Sequence, residues 1–297
     1  MNVAVQTSSL GKRYRRNWAL RDCGLTVPAG QITALVGPNG AGKTTLLSIL
    51  AGLSKPTDGV ASVLGVPAGS PEARRRVAFV AQDTPVYTEL TVRDNLRVAG
   101  DLNQPWDRQL AEDRLAGLDI SLGHKAGKLS GGQQAQLALT LALARHPSLL
   151  LLDEPMARLD PLARHEFLAA LVTVAYEQEI SIVFSSHVLP EMERIASYLI
   201  VLSHGKVQVA GRCLELLAAH QMLTGPADQA AELARRLGAI SLLRAARQAH
   251  LLVRDAGDPP PGFQSREVGL EELILAYLRD PDATALPGPV TAGAAAS

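Results

Sequence analysis

The chain has 297 residues, with 29 Lys and Arg against 29 Asp and Glu. That length suits one large α/β domain plus a small appendage, because single cores stop growing near roughly 250 to 300 residues. A net charge of zero offers no electrostatic footprint for nucleic acid or anionic lipid, and two cysteines, Cys23 and Cys213, make neither a disulfide framework nor a metal-ligand spacing, which suits a reducing compartment.

The opening run MNVAVQTSSLGKRY lacks the apolar core of a signal peptide. The basic cluster KRYRR at 12–16 reads as a solvated face. QITALVG (31–37) predicts a short buried strand and KTTLLSILAGL (43–53) the helix after it, stopped by Gly, Ser and Pro. A second strand, RVAFVAQ, closes at Gln82. From Asp83 to about Lys128 the chain turns polar and helix-like, an insertion into the α/β core.

The helix beginning at Ser130 is apolar nearly all round through Leu143, which predicts burial, and Pro147 stops it. The richest apolar stretch, 137–152, is cut by Arg145, His146 and Pro147, so no segment is expected to span a membrane, and work at one would need a separate spanning polypeptide. SLLLLDE (148–154) reads as a central parallel strand, since an unbroken apolar run needs cover on both faces. A helix (161–179), a strand (180–187), a further helix (189–197) and two strand-like pieces (198–205 and 206–211) follow, an alternation that means a layered, mostly parallel sheet. Beyond Cys213 the pattern weakens to helix-like pieces, including LEELILAYL, where Leu270, Leu273, Ile274, Tyr277 and Leu278 share one face. Residues 281–297, rich in Ala, Pro and Gly, read as a disordered tail.

The chemistry begins at Gly37, Pro38, Asn39, Gly40, Ala41, Gly42, Lys43 and Thr44, which satisfy the phosphate-loop spacing between a strand and a helix. Glycines let backbone N–H groups face phosphate oxygens, and the helix N-terminus adds about half a positive charge. Lys43 is expected to reach the β- and γ-phosphates, Thr44 to hold Mg²⁺ through its hydroxyl, and Thr45 to contact phosphate beside it. Asp153 and Glu154 fall at the C-terminal end of a buried strand, where ligands of open α/β sheets collect. Asp153 suits a Mg²⁺ partner, direct or through water. Glu154 suits a general base that orients water for attack on the γ-phosphate. His187 directly follows a predicted strand, also at the ligand edge.

A second glycine loop, LSGGQ at 129–133, has no use in a one-site reading. Ser130 can cap the helix that follows while the N–H groups of Gly131 and Gly132 point outward at an anion. With GPNGAGKT, Gln82, LSGGQ, LLLLDE, ARLD (157–160) and His187 in this order, residues 3–212 resemble the nucleotide-binding subunit of ATP-binding cassette (ABC) transporters.

The resemblance implies a P-loop NTPase core (RecA-like, mostly parallel sheet) with an antiparallel N-terminal β part and a small C-terminal appendage. The cassette would fill 1–212 with a helical subdomain at about 83–145, the appendage 213–280 and the tail 281–297. It implies ATP and Mg²⁺ as cofactors and a head-to-tail dimer, identical or not, in which Ser130, Gly131, Gly132 and Gln133 of one copy close over ATP held by the other. Gln82 would sense metal and water and link the site to the helical insertion, His187 would hold the γ-phosphate, and Asp160 would sit at the subunit boundary. Tyr14 matches the aromatic that stacks on adenine, with Trp18 its rival. Membrane permease subunits are the implied partners, at the cytoplasmic face of the membrane. Export is favoured by the LEELILAYL ending, and no nucleic acid is expected. Arg158 and Gln136 depart from the family pattern, at a usually small D-loop residue and a common arginine. A soluble cassette acting on nucleic acid or ribosomes, and a small-molecule kinase that leaves LSGGQ without a task, are the rival readings.

Overall fold

The computed structural model describes residues 2–82, 86–186, 188–255 and 257–286. The chain opens with a hairpin of β1 (Val3–Tyr14) and β2 (Asn17–Pro28), followed by β3 (Ile32–Val36), α1 (Lys43–Leu50), β4 (Asp58–Val63), β5 (Val66–Pro67), α2 (Pro71–Arg76) and β6 (Val77–Val80). Strands β2, β1, β4 and β5 form an antiparallel sheet in that order, as the resemblance implied.

A helical segment comes next, with α3 (Val92–Leu102), α4 (Arg108–Gly117) and α5 (Gly131–Leu143). The chain then re-enters the core through β7 (Leu149–Leu152), α6 (Pro161–Glu177), β8 (Ser181–Ser185), α7 (Leu189–Glu193), β9 (Tyr198–Ser203) and β10 (Lys206–Arg212). The central sheet has the order β10-β9-β3-β8-β7-β6. It is parallel throughout except where β10 returns antiparallel on β9.

The apolar run of β7 divides by the two-residue period of a strand. Leu150 and Leu152 join the core shared with α5 and α6, whereas Leu149 and Leu151 join the core under α1 and the antiparallel sheet. Phe184 and Val183 of β8, and Val36 and Leu35 of β3, divide the same way. Cover on both faces is what an unbroken apolar strand requires, and the parallel pairing of β6, β7, β8, β3 and β9 brings their C-terminal ends to one edge. The helical segment has its own small core of Val92, Leu96, Ala111, Leu115 and Leu137. Among the described residues no helix is long and apolar enough to cross a membrane.

The C-terminal region corrects the expectation of helix-like pieces alone. After α8 (Cys213–Ala218) come β11 (His220–Pro226), α9 (Ala227–Leu237), β12 (Ser241–Ala245), β13 (Gln248–Arg254), β14 (Gln264–Arg266) and α10 (Leu270–Arg279). The strands form a separate antiparallel sheet in the order β12-β13-β11-β14. Its strands are short and carry Gln, His and Arg among their apolar residues, which hides the alternation that marks a half-buried strand. Leu270, Leu273, Ile274 and Tyr277 of α10 are buried in the main core, and Leu278 packs at its margin.

The tail also begins in order. Ala285 bridges β10, donating its N–H to Gln208 O (2.8 Å) and accepting from Ala210 N (3.0 Å). The unpaired edge of β10 supplies those partners. Residues 287–297 lie outside the described residues.

Buried His220 faces Leu216 O through Nδ1 (2.5 Å) and the Tyr277 hydroxyl through Nε2 (2.8 Å). Burial pushes its pKa below the ordinary histidine value. The folded state therefore resists a proton that the unfolded state accepts, so stability is present above about pH 6.5 and is lost as pH falls below it. Thermal melts from pH 7.5 to 5 should show this decline, and His220→Phe should flatten it. Tyr277→Phe is expected to cost about 1–3 kcal/mol, because it strands a buried acceptor.

Candidate functional site

Strand β3 delivers residues 37–42 to the sheet edge, and α1 begins at Lys43. The N-cap of α1 is Gly42, at φ 107° and without a side chain to cap the helix. A Cβ there would stand 2.5 Å from Ala19 O, so both conformation and space require glycine. Helices α2, α3, α4, α5 and α6 are instead capped by Ser70, Thr91, Asp107, Ser130 and Asp160. In α1 the first-turn N–H groups are thus left to an anion, with the helix dipole behind them.

The loop borders a cleft of about 830 Å³ lined by Gly37 through Thr45 together with Tyr14, Ala19, Gln82, Glu154 and Ala157. Lys43 Nζ donates to Gly37 O (2.8 Å) and Pro38 O (3.4 Å), and lies 3.5 Å from Glu154 Oε1. The ammonium is therefore held inside the curl of its own loop, facing the acid expected to act as base. Asp153 is buried at the end of β7, and its N–H bonds Val80 O (2.9 Å). Thr44 and Gln82 are exposed. Hydroxyl, amide and carboxylate oxygens make a hard donor set, which with phosphate and water suits a divalent cation of the alkaline-earth kind.

Sequence reasoning passed over Ser185 at the end of β8. Its hydroxyl donates to Asp153 Oδ1 (2.7 Å) and accepts from Glu154 N (2.8 Å). The one signal available was a polar pair, Ser185 and Ser186, closing an apolar strand. His187 lies outside the described residues.

Tyr14 lines the cleft and Trp18 does not. Trp18 instead lies between Arg13 and Arg21, whose guanidinium carbons sit 5.5 and 5.6 Å from its ring. Tyr14→Ala is therefore expected to weaken ATP binding by about 1–3 kcal/mol, the range for base stacking on an aromatic ring, whereas Trp18→Ala should change it little. Titration with a fluorescent nucleotide separates the two.

The signature residues stand elsewhere. Ser130 Oγ accepts from Gln133 N (3.2 Å) and Gln133 Oε1 accepts from Ser130 N (3.1 Å), a reciprocal capping box at the start of α5. Ser130 and Gly131 are exposed, and none of residues 129–133 lines the cleft. A Cβ on Gly132 would meet Ala163 Cβ at 2.8 Å, so α5 and α6 touch closely where the two loops begin. Asp160 Oδ1 accepts from Leu162 N and Ala163 N, both 3.0 Å, and caps α6. At the Gln136 departure, Arg114 of α4 donates to Gln136 Oε1 (3.2 Å), so a guanidinium reaches this point from the neighbouring helix.

The family model described as ABC transporter matches residues 20–157. The chain is 35% identical over 200 residues to a thiamine import ATP-binding protein of Shigella flexneri serotype 5b, covering 65% of this chain and 86% of that one. It is 34% identical over 220 residues to a sulfate/thiosulfate import ATP-binding protein of Synechococcus elongatus, covering 72% of this chain and 64% of that one. It is also 37% identical over 221 residues to a Nod factor export ATP-binding protein of Sinorhizobium fredii, at 71% and 63%. The chain thus spans somewhat less than two thirds of these last two relatives. Among solved structures it is similar to a dimeric post-hydrolysis state of the cassette MJ0796 bound to ADP and Pi, with TM-score 0.63, 25% identity, and 70% and 98% coverage. By sequence, by fold and by the phosphate loop set against paired carboxylates, this chain belongs to the ATP-binding subunits of ABC transporters.

Proposed function

We propose that the chain hydrolyses ATP to ADP and phosphate and powers solute transport through separate membrane-spanning subunits. The observation that carries this reading is the cleft in which the uncapped N-terminus of α1 and Lys43 face Glu154, 3.5 Å from Lys43 Nζ. The loop amides bind and orient the phosphates. A phosphate oxygen competes with Gly37 O and Glu154 for the Lys43 ammonium, and Glu154 takes the proton of the attacking water. Thr44, Gln82 and Asp153 would hold Mg²⁺, which, when bound, neutralises charge on the β- and γ-phosphates.

Ser130, Gly131, Gly132 and Gln133 are assigned to the partner cassette's nucleotide, because they lie outside their own chain's cleft. Asp160, the cap of α6, is assigned to the boundary between the two cassettes, and His187 to the γ-phosphate. We place the subunit at the cytoplasmic face of the membrane, attached through its permease. Import and export both appear in the names of the relatives, so they do not support the outward direction that the LEELILAYL ending favoured. Isolation of the native complex from membranes should recover an integral permease. Salt-sensitive binding to DNA or RNA without membrane co-fractionation would overturn the transport assignment.

A further inference from the structure

We propose that Ser185, which belongs to none of the motifs named above, positions both acids of the catalytic edge. Strands β7 and β8 run parallel, with Leu152 paired to Phe184, so the next residue on each, Asp153 just past β7 and Ser185 at the last position of β8, lie side by side at the sheet edge. A backbone N–H can only donate, so the Glu154 amide gives its proton to Ser185 Oγ at 2.8 Å. The single hydroxyl proton is then free for Asp153 Oδ1 at 2.7 Å. Asp153 and Ser185 are both buried, and a hydrogen bond to a charged acceptor in such a place is stronger than one between neutral groups.

Glu154 has φ 46°, a left-handed conformation that residues with side chains seldom adopt. Its amide is held there by the same hydroxyl that fixes the Asp153 carboxylate. One atom of β8 therefore sets the direction of the metal-side acid and the backbone turn that aims the base. Removing the hydroxyl leaves a buried carboxylate oxygen and a backbone amide short of a partner and lets both acids drift, and an ångström of drift at a reacting centre can cost about a hundredfold.

This inference rests on the ATPase reading. A full-length native chain that does not hydrolyse ATP would sink that reading, whereas native behaviour of the variants below would sink only this one. Ser185→Ala, Ser185→Cys and Ser185→Thr are compared in the full chain for kcat, KM and the Mg²⁺ concentration that half-saturates its effect on binding of a fluorescent ATP analogue. Ser185→Ala is expected to lose about 10- to 100-fold in kcat with KM within about threefold, and to need more Mg²⁺ in the binding assay. Threonine, with the same hydroxyl, should recover most of both losses, and cysteine, a weak donor, should fall between. Alanine within twofold of native, or threonine no better than alanine, overturns the proposal. Should the alanine variant not fold, the order of threonine over cysteine decides.

Discussion

Glu154→Gln is expected to lower the turnover number for ATP by about a hundred- to ten-thousandfold while nucleotide binding persists. The change removes the basic oxygen and keeps the size of the side chain. It leaves the Glu154 amide on Ser185 Oγ, because that contact belongs to the backbone. The substitution also withdraws a carboxylate that stands 3.5 Å from Lys43 Nζ in a nearly buried place. A cation that loses a partner there seeks another, and a phosphate oxygen is the strongest acceptor on offer. Affinity for ATP should therefore hold or rise as turnover collapses. The product should accumulate as a closed, ATP-loaded dimer visible by size-exclusion chromatography. Near-normal turnover would remove Glu154 from the base role, and a parallel loss of binding would mean that the carboxylate shapes the loop instead.

How far the site could be seen in the sequence depended on the range of the interactions involved. The phosphate loop was legible because its requirement is local: glycine at Gly42, an apolar strand before it and a helix after it. Asp153 and Glu154 were legible for a similar reason, since a short run of four leucines between Pro147 and a pair of acids reads as an inner strand, and the acids then fall at its end. Ser185 was not, because its partners lie 31 and 32 residues away and nothing in the spacing joins them. The same limit applies to Arg114, which reaches Gln136 from another helix. The C-terminal sheet was missed because β11 and β13 pair across α9 and β12, with polar side chains blurring each strand's alternation. The choice between Tyr14 and Trp18 also needed the fold, since both are aromatic with a cation beside the ring and only Tyr14 lines the cleft.

The second large effect concerns concentration. ATP turnover per chain is expected to fall by about three to five powers of ten between a closed pair and a strictly monomeric chain, by analogy with groups donated in trans to other P-loop enzymes. The signature loop makes that dependence unavoidable if it acts on phosphate at all, because residues 129–133 do not line their own chain's cleft. What the loop offers is also restricted. The Ser130 hydroxyl, the Gln133 N–H and the Gln133 amide oxygen are engaged in the capping box, so the N–H groups of Gly131 and Gly132, which have no carbonyl partner within α5, are the donors left for an anion. The loop is not free to swing alone, since Gly132 lies against Ala163 and a Cβ on Gly131 would stand 3.4 Å from Arg158 O. A partner's nucleotide that draws in Gly131 must then draw on the residue 157–160 segment and the Asp160 cap with it, which links closure at one site to the geometry at the other. Specific activity measured across a dilution series should rise with concentration and then level as the pair saturates. Ser130→Ala should cost α5 about 0.5–2 kcal/mol of capping and shift that curve to higher concentration, while ATP binding to the monomer stays unchanged. A specific activity that stays flat from the most dilute sample to the most concentrated would leave each chain a complete catalyst, and LSGGQ would then be a helix cap and nothing more.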